Sequence, residues 1–306
     1  MVSLVIPIFN EELLIDTLAE RCLAAMQRIS PDFEIVCIDD GSSDNSLSLL
    51  KKWHGKDNRI KVVTLSRNFG HQAAYTAGLT YAKGDYIAMM DGDLQDPPEL
   101  LPAMHRKLVE SNDEIDIVYG KRTKRGEELQ KALSIRLFHK IFKQVSGIDA
   151  ADNVGNFSML NRRALQAFLC LEERNRYLPG LRFFIGFNQD YVEYERDDRA
   201  AGEAKMTFGK LVRLALDALF SFSDMPIKLC FWTGVTGIFI LFIAGIYALF
   251  SKITGTAYIG WSSLSLSIYF LGSVQLLFLG VIGEYVFRIY RETQRRPIFL
   301  IRKIYE

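Results

Sequence analysis

Two long runs without a charged residue set the strongest limit on how this chain can fold. The first run has 22 residues, from Leu229 to Phe250, and the second has 31, from Ile253 to Gly283. A helix needs about 20 apolar residues to cross a hydrocarbon core of about 30 Å. Helices of soluble proteins average about 11 to 12 residues and usually carry a polar face, which these runs lack. The sequence therefore predicts two transmembrane helices, at about 229–251 and 258–282.

Basic residues lie on one side of both predicted spans. The connecting loop offers only Lys252. The others are Lys205, Lys210, Arg213 and Lys228 before the first span, and Arg288, Arg291, Arg295, Arg296, Arg302 and Lys303 after the second. Loops rich in lysine and arginine stay on the cytoplasmic side of a membrane. We therefore expect an integral membrane protein with two spans, whose termini and N-terminal region are cytoplasmic.

Strand and helix patterns alternate over the first 120 residues. The strand patterns are Leu4 to Ile8, Glu34 to Ile38, Ile60 to Leu65, Tyr86 to Met90 and Ile115 to Tyr119. Helical patterns lie between them, as in Glu11 to Ile29. The alternation predicts an α/β domain with a mostly parallel sheet and helices on both faces. Such sheets bind their ligands outside the carboxyl ends of the strands.

Polar segments follow four of these strands. They are Asn10-Glu11, Asp39-Asp40-Gly41-Ser42, Arg67-Asn68 and Asp91-Gly92-Asp93. Two carboxylates one residue apart suit a hard cation, which in turn can bind a diphosphate. Asp-Gly-Asp is also an ordinary turn sequence, so the motif alone does not decide between the two. The convergence of four strand ends on one edge favours a nucleotide-sugar site.

Charge and small residues bear on possible partners. The net charge of +1 provides no overall attraction to nucleic acid, so we expect no nucleic-acid partner. Small residues in a membrane helix allow close packing against a second helix, which favours a homo-oligomer. In the first predicted span these residues are Gly234, Gly237 and Gly245.

Five segments resemble the motif series of the family 2 inverting glycosyltransferases. They are Val5 to Glu12, Ile38 to Asp44, Arg67 to Gly70, Met90 to Glu99 and Arg199 to Lys205. Within that family the chain is similar to the polyprenyl-phosphate hexosyltransferases, relatives of dolichol-phosphate mannose synthase with two C-terminal transmembrane helices. The resemblance implies a Rossmann-like GT-A catalytic domain, a lipid-phosphate acceptor and a bacterial-type inner membrane.

The resemblance and the apolar runs together predict four regions. Residues 1–205 form the cytoplasmic GT-A domain, and residues 206–228 form an interfacial amphipathic helix region. Residues 229–283 contain the two spans, and residues 284–306 form a basic cytoplasmic tail.

The resemblance also implies a set of site residues. Those that bind the nucleotide sugar are Pro7, Phe9, Glu11, Asp40, Asp91, Gly92, Asp93, Arg199 and Lys205. Those that bind Mg²⁺ or Mn²⁺ are Asp91, Asp93 and Gln95. A metal is expected because carboxylates without a cation would repel the donor diphosphate. The catalytic residues expected from the resemblance are Asp91, Asp93 and Arg122.

The resemblance also implies that Arg122, Ser134 and Arg136 contact the acceptor phosphate or the donor diphosphate, and we assign them to the acceptor phosphate. Arginine suits this role because its planar guanidinium makes bidentate contacts with phosphate oxygens. For Ser134 and Arg136 an equally good interpretation is a solvated basic face near anionic lipid.

One position departs from the family pattern. Related chains often have aspartate in a Val-Gly-Asp-Phe segment, whereas this chain has Asn156 between Gly155 and Phe157. Asparagine does not act as a general base. A phosphate monoester has a second pKa of about 6 and is already charged at neutral pH, so it needs none. The substitution favours a phosphate acceptor over a sugar hydroxyl.

The sequence as a whole predicts inverting transfer of a hexose, most simply glucose from UDP-glucose, to a polyprenyl phosphate such as undecaprenyl phosphate. A donor such as GDP-mannose or another nucleotide sugar is an alternative. A processive polysaccharide synthase is a weaker one, because the segment Gln294 to Pro297 lacks the tryptophan of the Gln-x-x-Arg-Trp motif. A flippase subunit or a membrane scaffold without activity is the alternative outside enzymes.

Overall fold

The computed structural model describes residues 1–123, 154–174, 176–195, 225–254 and 260–306. Its chain forms two compact units. The first contains the N-terminal region and the last ten residues, Pro297–Glu306. The second contains two long helices.

The first unit alternates strands and helices as the sequence predicts. Its strands are β1 (Val2–Ile8), β2 (Phe33–Asp39), β3 (Ile60–Leu65), β4 (Tyr86–Met89), β5 (Ile117–Thr123), β6 (Val154–Asn161), β7 (Gln189–Glu195) and β8 (Ile301–Tyr305). Its helices are α1 (Ile15–Gln27), α2 (Ser46–Lys56), α3 (His71–Tyr81), α4 (Leu101–Glu110), α5 (Arg162–Leu169) and α6 (Leu178–Phe184). A 3₁₀ turn, Pro98–Leu100, precedes α4.

The eight strands of the described residues belong to one sheet, in the order β7-β5-β6-β4-β1-β2-β3-β8. Strands β3, β2, β1 and β4 are parallel, whereas β6 is antiparallel to both of its neighbours and β8 is antiparallel to β3. The predicted α/β class is confirmed. Because β1 lies between β2 and β4, the strand order reverses there, and α/β sheets bind ligands beside such a reversal.

The core shows why the central strands read as continuous apolar runs. All seven residues of β1 and all seven of β2 are buried, as expected for parallel strands covered on both faces. On one face, Leu4 and Ile6 pack in a cluster with α1, α2 and α4. On the other, α3 approaches so closely that a Cβ on Gly78 would lie 2.4 Å from side-chain atoms of both Val5 and Ile38.

Strand β8 is one of three strands, with β6 and β7, that the sequence does not predict. It lies within the segment read only as a basic tail, and it adds to the edge of the sheet beside β3. Thr64 Oγ1 donates a hydrogen bond of 2.9 Å to the Lys303 carbonyl, and Ser66 N donates one of 2.8 Å to the Leu300 carbonyl. Arg302 and Lys303 are exposed, and charged residues are typical of edge strands.

The second unit contains α7 (Met225–Ile253) and α8 (Trp261–Thr293). Both are long and apolar enough to cross a membrane, with candidate spans at Cys230–Tyr247 and Phe270–Thr293. None of either span is buried within the protein, in contrast to a soluble core helix. Residues 206–224 of the predicted interfacial region lie outside the described residues.

Candidate active site

The loops after β1 to β4 meet at one edge of the sheet, and we call them the loop half of the site (residues 9–14, 40–45, 66–70 and 90–97). Asn10 connects the first loop to the second, because its backbone N–H donates to Ser42 Oγ (3.1 Å) and its Oδ1 accepts from Ser43 N (2.8 Å). Asn10 has a φ of 53°, a left-handed conformation that asparagine tolerates better than most residues. The predicted convergence of the first two strand ends is confirmed.

Asp40 connects the second loop to the third. Its carboxylate is 3% exposed and accepts hydrogen bonds from the backbone N–H groups of Phe69 (2.8 Å) and Gly70 (2.9 Å). Burial raises the pKa of Asp40, and these two bonds only partly oppose it. This carboxylate, one of those expected to bind the nucleotide sugar, therefore also fixes the loop that begins α3.

Asp91 receives two hydrogen bonds from the first turns of α3. Its Oδ1 accepts from Tyr75 Oη at 2.6 Å and lies 3.1 Å from His71 Nε2. Burial would raise the pKa of Asp91, but the hydrogen bond and charge of His71, together with the bond from Tyr75, lower it to about 2. Asp91 is therefore ionised at neutral pH and held in one orientation.

The segment after β4 alternates between partly exposed and buried residues. Asp91, Asp93 and Gln95 are partly exposed, whereas the intervening side chains are buried. Leu94, 2% exposed, has a φ of 56°, an uncommon left-handed conformation for leucine. Gly92 packs closely, because a Cβ there would lie 2.7 Å from Ile8 Cδ1. The alternation places the three expected metal ligands on the accessible side.

The donor set suits a hard cation. Asp91 and Asp93 supply carboxylates and Gln95 supplies an amide oxygen, and Mg²⁺ and Mn²⁺ favour oxygen ligands. Asp93 Oδ1 also accepts from Gln95 N at 3.2 Å, which keeps these two residues together. Within the described ranges, no group of three or more His, Cys, Asp or Glu residues is arranged to bind a metal. A cation here would depend on this smaller set and on oxygens of its ligand.

The ends of β5 and β7 and the start of β6 continue the same edge, and we call them the strand half of the site (residues 120–123, 192–195 and 154–158). Because β6 is antiparallel to β4 and pairs Ser158 with Met89, its residues before Ser158 extend past the end of β4. Strand β7 pairs Tyr194 with Arg122. This register brings Arg122 and Asn156 to the edge that holds Asp91.

Arg122 is held by two side chains. Its Nε donates to Tyr194 Oη at 3.2 Å, and its Nη2 donates to Asp96 Oδ1 at 3.5 Å. Tyr194 Oη in turn donates a short hydrogen bond to the same Asp96 oxygen. Burial would lower the pKa of Arg122, but the Asp96 charge and the Tyr194 bond outweigh it and raise that pKa. The guanidinium is therefore charged.

Arg182 holds the start of β6 in place through hydrogen bonds to its backbone. It is 0% exposed, and it donates to the carbonyl oxygens of Gly155 (2.7 Å) and Asn156 (2.9 Å) and to Ser158 Oγ. Its guanidinium lies 5.1 Å from the Tyr119 ring centroid. Burial lowers the pKa of Arg182. A buried cation with these partners holds the backbone around Asn156 in place.

The sequence profile of glycosyl transferase family 2 matches residues 3–169, which include the whole loop half. The chain is a family 2 glycosyltransferase. Similarity to relatives extends over nearly the full length of the chain. A prophage bactoprenol glucosyl transferase homolog of Escherichia coli K12 is 35% identical over 99% of this chain and 99% of that protein. The bactoprenol glucosyl transferase of Shigella phage SfV is 36% identical over 98% of each.

A solved structure supports the fold of the glycosyltransferase. Glucosyl-3-phosphoglycerate synthase from Mycobacterium tuberculosis, in complex with Mn²⁺, UDP and phosphoglyceric acid, superposes with a TM-score of 0.52. The match covers 72% of this chain and 78% of that one at 16% identity. At this identity the likeness establishes the GT-A fold alone.

The other expected site residues of the glycosyltransferase fall into two groups. In the first loop and the strand before it, Pro7 is buried, Phe9 is 37% exposed, and Glu11 N donates to Ser46 Oγ at 2.9 Å. The second group lies outside the described residues, and its members are Ser134, Arg136, Arg199 and Lys205.

Several residues at this edge are missed by sequence reasoning, namely His71, Tyr75, Asp96, Arg182 and Tyr194. The sequence could have indicated His71 and Tyr75, because they are four residues apart after the helix-starting Gly70 and so share one helix face. Asp96 lies in the acidic segment, but the sequence does not show that its role differs from those of Asp91 and Asp93. For Arg182 and Tyr194 the sequence carries no signal, since only the sheet brings them to the edge.

Proposed function

We propose that this glycosyltransferase transfers glucose from UDP-glucose to a polyprenyl phosphate of the undecaprenyl type, with inversion at the anomeric carbon. One observation carries the proposal: the likeness to proteins named bactoprenol glucosyl transferase extends over almost the whole chain. It therefore includes the two long apolar helices, which an enzyme with a soluble acceptor would not need.

In this proposal the loop half binds the donor. Pro7, Phe9, Glu11 and Asp40 contact the nucleoside, and residues of the Arg199 to Lys205 segment close over the diphosphate. Asp91, Asp93 and Gln95 hold Mg²⁺ or Mn²⁺, and the cation would neutralise charge on the departing UDP. The ionised state of Asp91 and the accessible side shared by all three residues support this assignment.

The strand half binds the acceptor phosphate, with Arg122 as its principal contact, and we assign Ser134 and Arg136 to the same ligand. A phosphate oxygen forms a bond to the anomeric carbon while the bond from that carbon to the UDP oxygen breaks on the opposite face. The nucleophile already carries its charge, so no side chain has to remove a proton. Asn156 at this edge is compatible with that chemistry, because it has no basic group.

We further propose that α7 and α8 anchor the protein in a bacterial-type inner membrane, that residues 206–228 lie at its surface, and that residues 1–205 and 284–306 are cytoplasmic. Confinement to the membrane shortens the search for a lipid acceptor. A homo-oligomer is proposed because Gly237 and Gly245 of α7 leave open space for another helix.

The decisive experiment uses the full-length protein in detergent with a short-chain polyprenyl phosphate, Mg²⁺ or Mn²⁺, and UDP-glucose, UDP-GlcNAc or GDP-mannose. Mass spectrometry of the lipid should show one hexose joined to phosphate with UDP-glucose. The matched control is the corresponding polyprenol, which lacks the phosphate and should remain unmodified. Glucose joined to a hydroxyl, or a polymeric product, would refute the proposal.

The membrane arrangement has its own test. A reporter fused after Glu306 should be cytoplasmic, and one inserted at Thr256 should lie on the far side of the membrane. Equal labelling of the two positions by an impermeant reagent would contradict it.

A further inference from the structure

Asp96 belongs to the acidic segment but lies on its buried side. Asp91, Asp93 and Gln95 are partly exposed, whereas Asp96 is 0% exposed. A carboxylate removed from water is costly unless it is hydrogen-bonded or paired. The Asp96 side chain therefore does not share the accessible side of the expected metal ligands, and it needs partners within the protein.

Among the described residues, two side chains of the strand half serve as such partners. Asp96 Oδ1 accepts a short hydrogen bond from Tyr194 Oη and a contact of 3.5 Å from Arg122 Nη2. Tyr194 also accepts from Arg122 Nε, so the three side chains form a closed triangle. Tyr194 is 6% exposed and its ring packs edge-on against Phe157 at 5.7 Å, which holds the hydroxyl in place.

The triangle fixes where the guanidinium lies. A Cβ on Gly155 would be 2.8 Å from Arg122 Nη2, so the guanidinium rests against the backbone beside Asn156. The Arg122 side chain is 27% exposed, and its Nη1 makes no hydrogen bond with any side chain or backbone group of the described residues. Hydrogen bonds through Nε and Nη2 therefore hold one side of the guanidinium. Among the described residues, Nη1 stays available to a ligand at this edge of the sheet.

We infer that Asp96 is a positioning residue that, with Tyr194, holds the Arg122 guanidinium where the acceptor phosphate binds and joins it to the segment that holds the donor diphosphate. The inference rests on the proposed function. Arginine has a long flexible side chain, and its ordering in advance spares the entropy that binding would otherwise cost. Asp96 follows Gln95 directly. The short segment that contains the expected metal ligands therefore also fixes the position of Arg122, the expected contact of the acceptor phosphate.

A double-mutant cycle tests this role in the full-length protein. Asp96→Asn keeps the size of the side chain and an acceptor oxygen but removes the charge. It should lower kcat/KM for a short-chain polyprenyl phosphate about 10- to 100-fold, through KM more than kcat, and leave UDP affinity within about twofold. In an Arg122→Ala background the same change should cost less than about threefold, because the group that Asp96 positions is gone.

Two further variants separate positioning from stability. Asp116→Asn is the matched control, since Asp116 is also a buried carboxylate bonded to an arginine, Arg163, but lies at the opposite edge. It should lower the melting temperature without changing KM for the lipid. Tyr194→Phe removes a single hydroxyl, should raise KM for the lipid about three- to tenfold, and decides the question if Asp96→Asn does not fold.

The inference is overturned if Asp96→Asn costs the same factor with and without Arg122, or if it weakens UDP binding as much as transfer. It is also overturned if the effect of Asp96→Asn on KM is no larger than that of Asp116→Asn. Failure of the proposed function would appear in the wild-type protein, as transfer to another acceptor. The same cycle measured with that acceptor would still decide the role of Asp96.

Discussion

The loop half and the strand half of the site occupy one edge of the sheet but are built in different ways. The loop half consists of four segments that each follow a strand directly, and backbone groups connect them, as Asp40 does with Phe69 and Gly70. The strand half depends on buried charged side chains that come from outside its three segments, namely Arg182 of α6 and Asp96 of the loop half. Each segment of the loop half can be recognised as a local motif, whereas the partners of the strand half can be recognised only in the folded sheet.

Part of the strand half lies outside the family match. The profile of glycosyl transferase family 2 ends at residue 169, so it includes the loop half and segments 120–123 and 154–158, but neither Arg182 nor Tyr194. We interpret the loop half as the common donor site and the strand half as the part suited to a particular acceptor. If this division is right, substitutions in the two halves should affect different kinetic parameters.

The largest effect is expected in the loop half. Asp93→Ala removes one of the two carboxylates that we propose hold the cation, and transfer should fall by about 10³-fold or more with a sharp loss of UDP affinity. Isothermal titration with UDP and Mn²⁺ and a transfer assay measure the two quantities. Asp32→Ala is the control, since this exposed carboxylate precedes β2 at the opposite edge. Transfer near the wild-type rate in EDTA would refute the metal assignment.

A large effect of another kind is expected for Arg122→Ala. It should lower kcat/KM for the lipid phosphate about 10²- to 10³-fold, because the charge-assisted contact proposed between Arg122 and the anionic acceptor is lost. UDP affinity should change little. Arg59→Ala, which removes an arginine paired with Asp57 at the opposite edge, should change neither quantity. If Arg122→Ala weakens UDP binding and lipid use equally, the proposed division between the halves fails.

An intermediate effect is expected for Arg182→Met. This change keeps the length of the side chain but leaves the carbonyl oxygens of Gly155 and Asn156 without their donor, which should destabilise the fold by about 2–4 kcal/mol. Chemical denaturation measures the loss. Arg176→Met is the comparison, because Arg176 is also buried and donates to backbone carbonyls. Only Arg182→Met should also raise KM for the lipid. Equal KM values in Arg182→Met and Arg176→Met would contradict the role of Arg182 in holding the backbone around Asn156.

The smallest effect is expected at Asn156. If the nucleophile is a phosphate, Asn156→Asp should not give the roughly 10²- to 10⁴-fold gain that restoring a general base would bring. As pH rises through the second pKa of the acceptor phosphate, about 6, the phosphate becomes dianionic. The lipid kcat/KM should therefore rise through that pH and then level off in both proteins. A gain of tenfold or more in Asn156→Asp, or a new ionisation governing its profile, would favour a hydroxyl acceptor.

Much of the fold follows from the sequence because its signals are local. Buried parallel strands such as Val2–Ile8 read as apolar runs, and the polar segments after them mark the carboxyl edge. The two apolar helices are equally plain from length alone. Strands β6, β7 and β8 are not predicted from the sequence. In β8 the reason is that Arg302 and Lys303 are typical of a basic tail, although charged residues are also common on edge strands.

By itself the sequence determined the α/β class, the two apolar helices and the chemical character of Asp91, Asp93 and Arg122. Only the tertiary structure decided which side chains hold these groups. His71 and Tyr75 reach Asp91 because α3 packs against β1 and β2, and Tyr194 reaches Arg122 because β7 pairs with β5. The physical reason is that a motif specifies chemistry at a position, whereas burial, ionisation and orientation depend on neighbours that are remote in sequence and adjacent only in the fold.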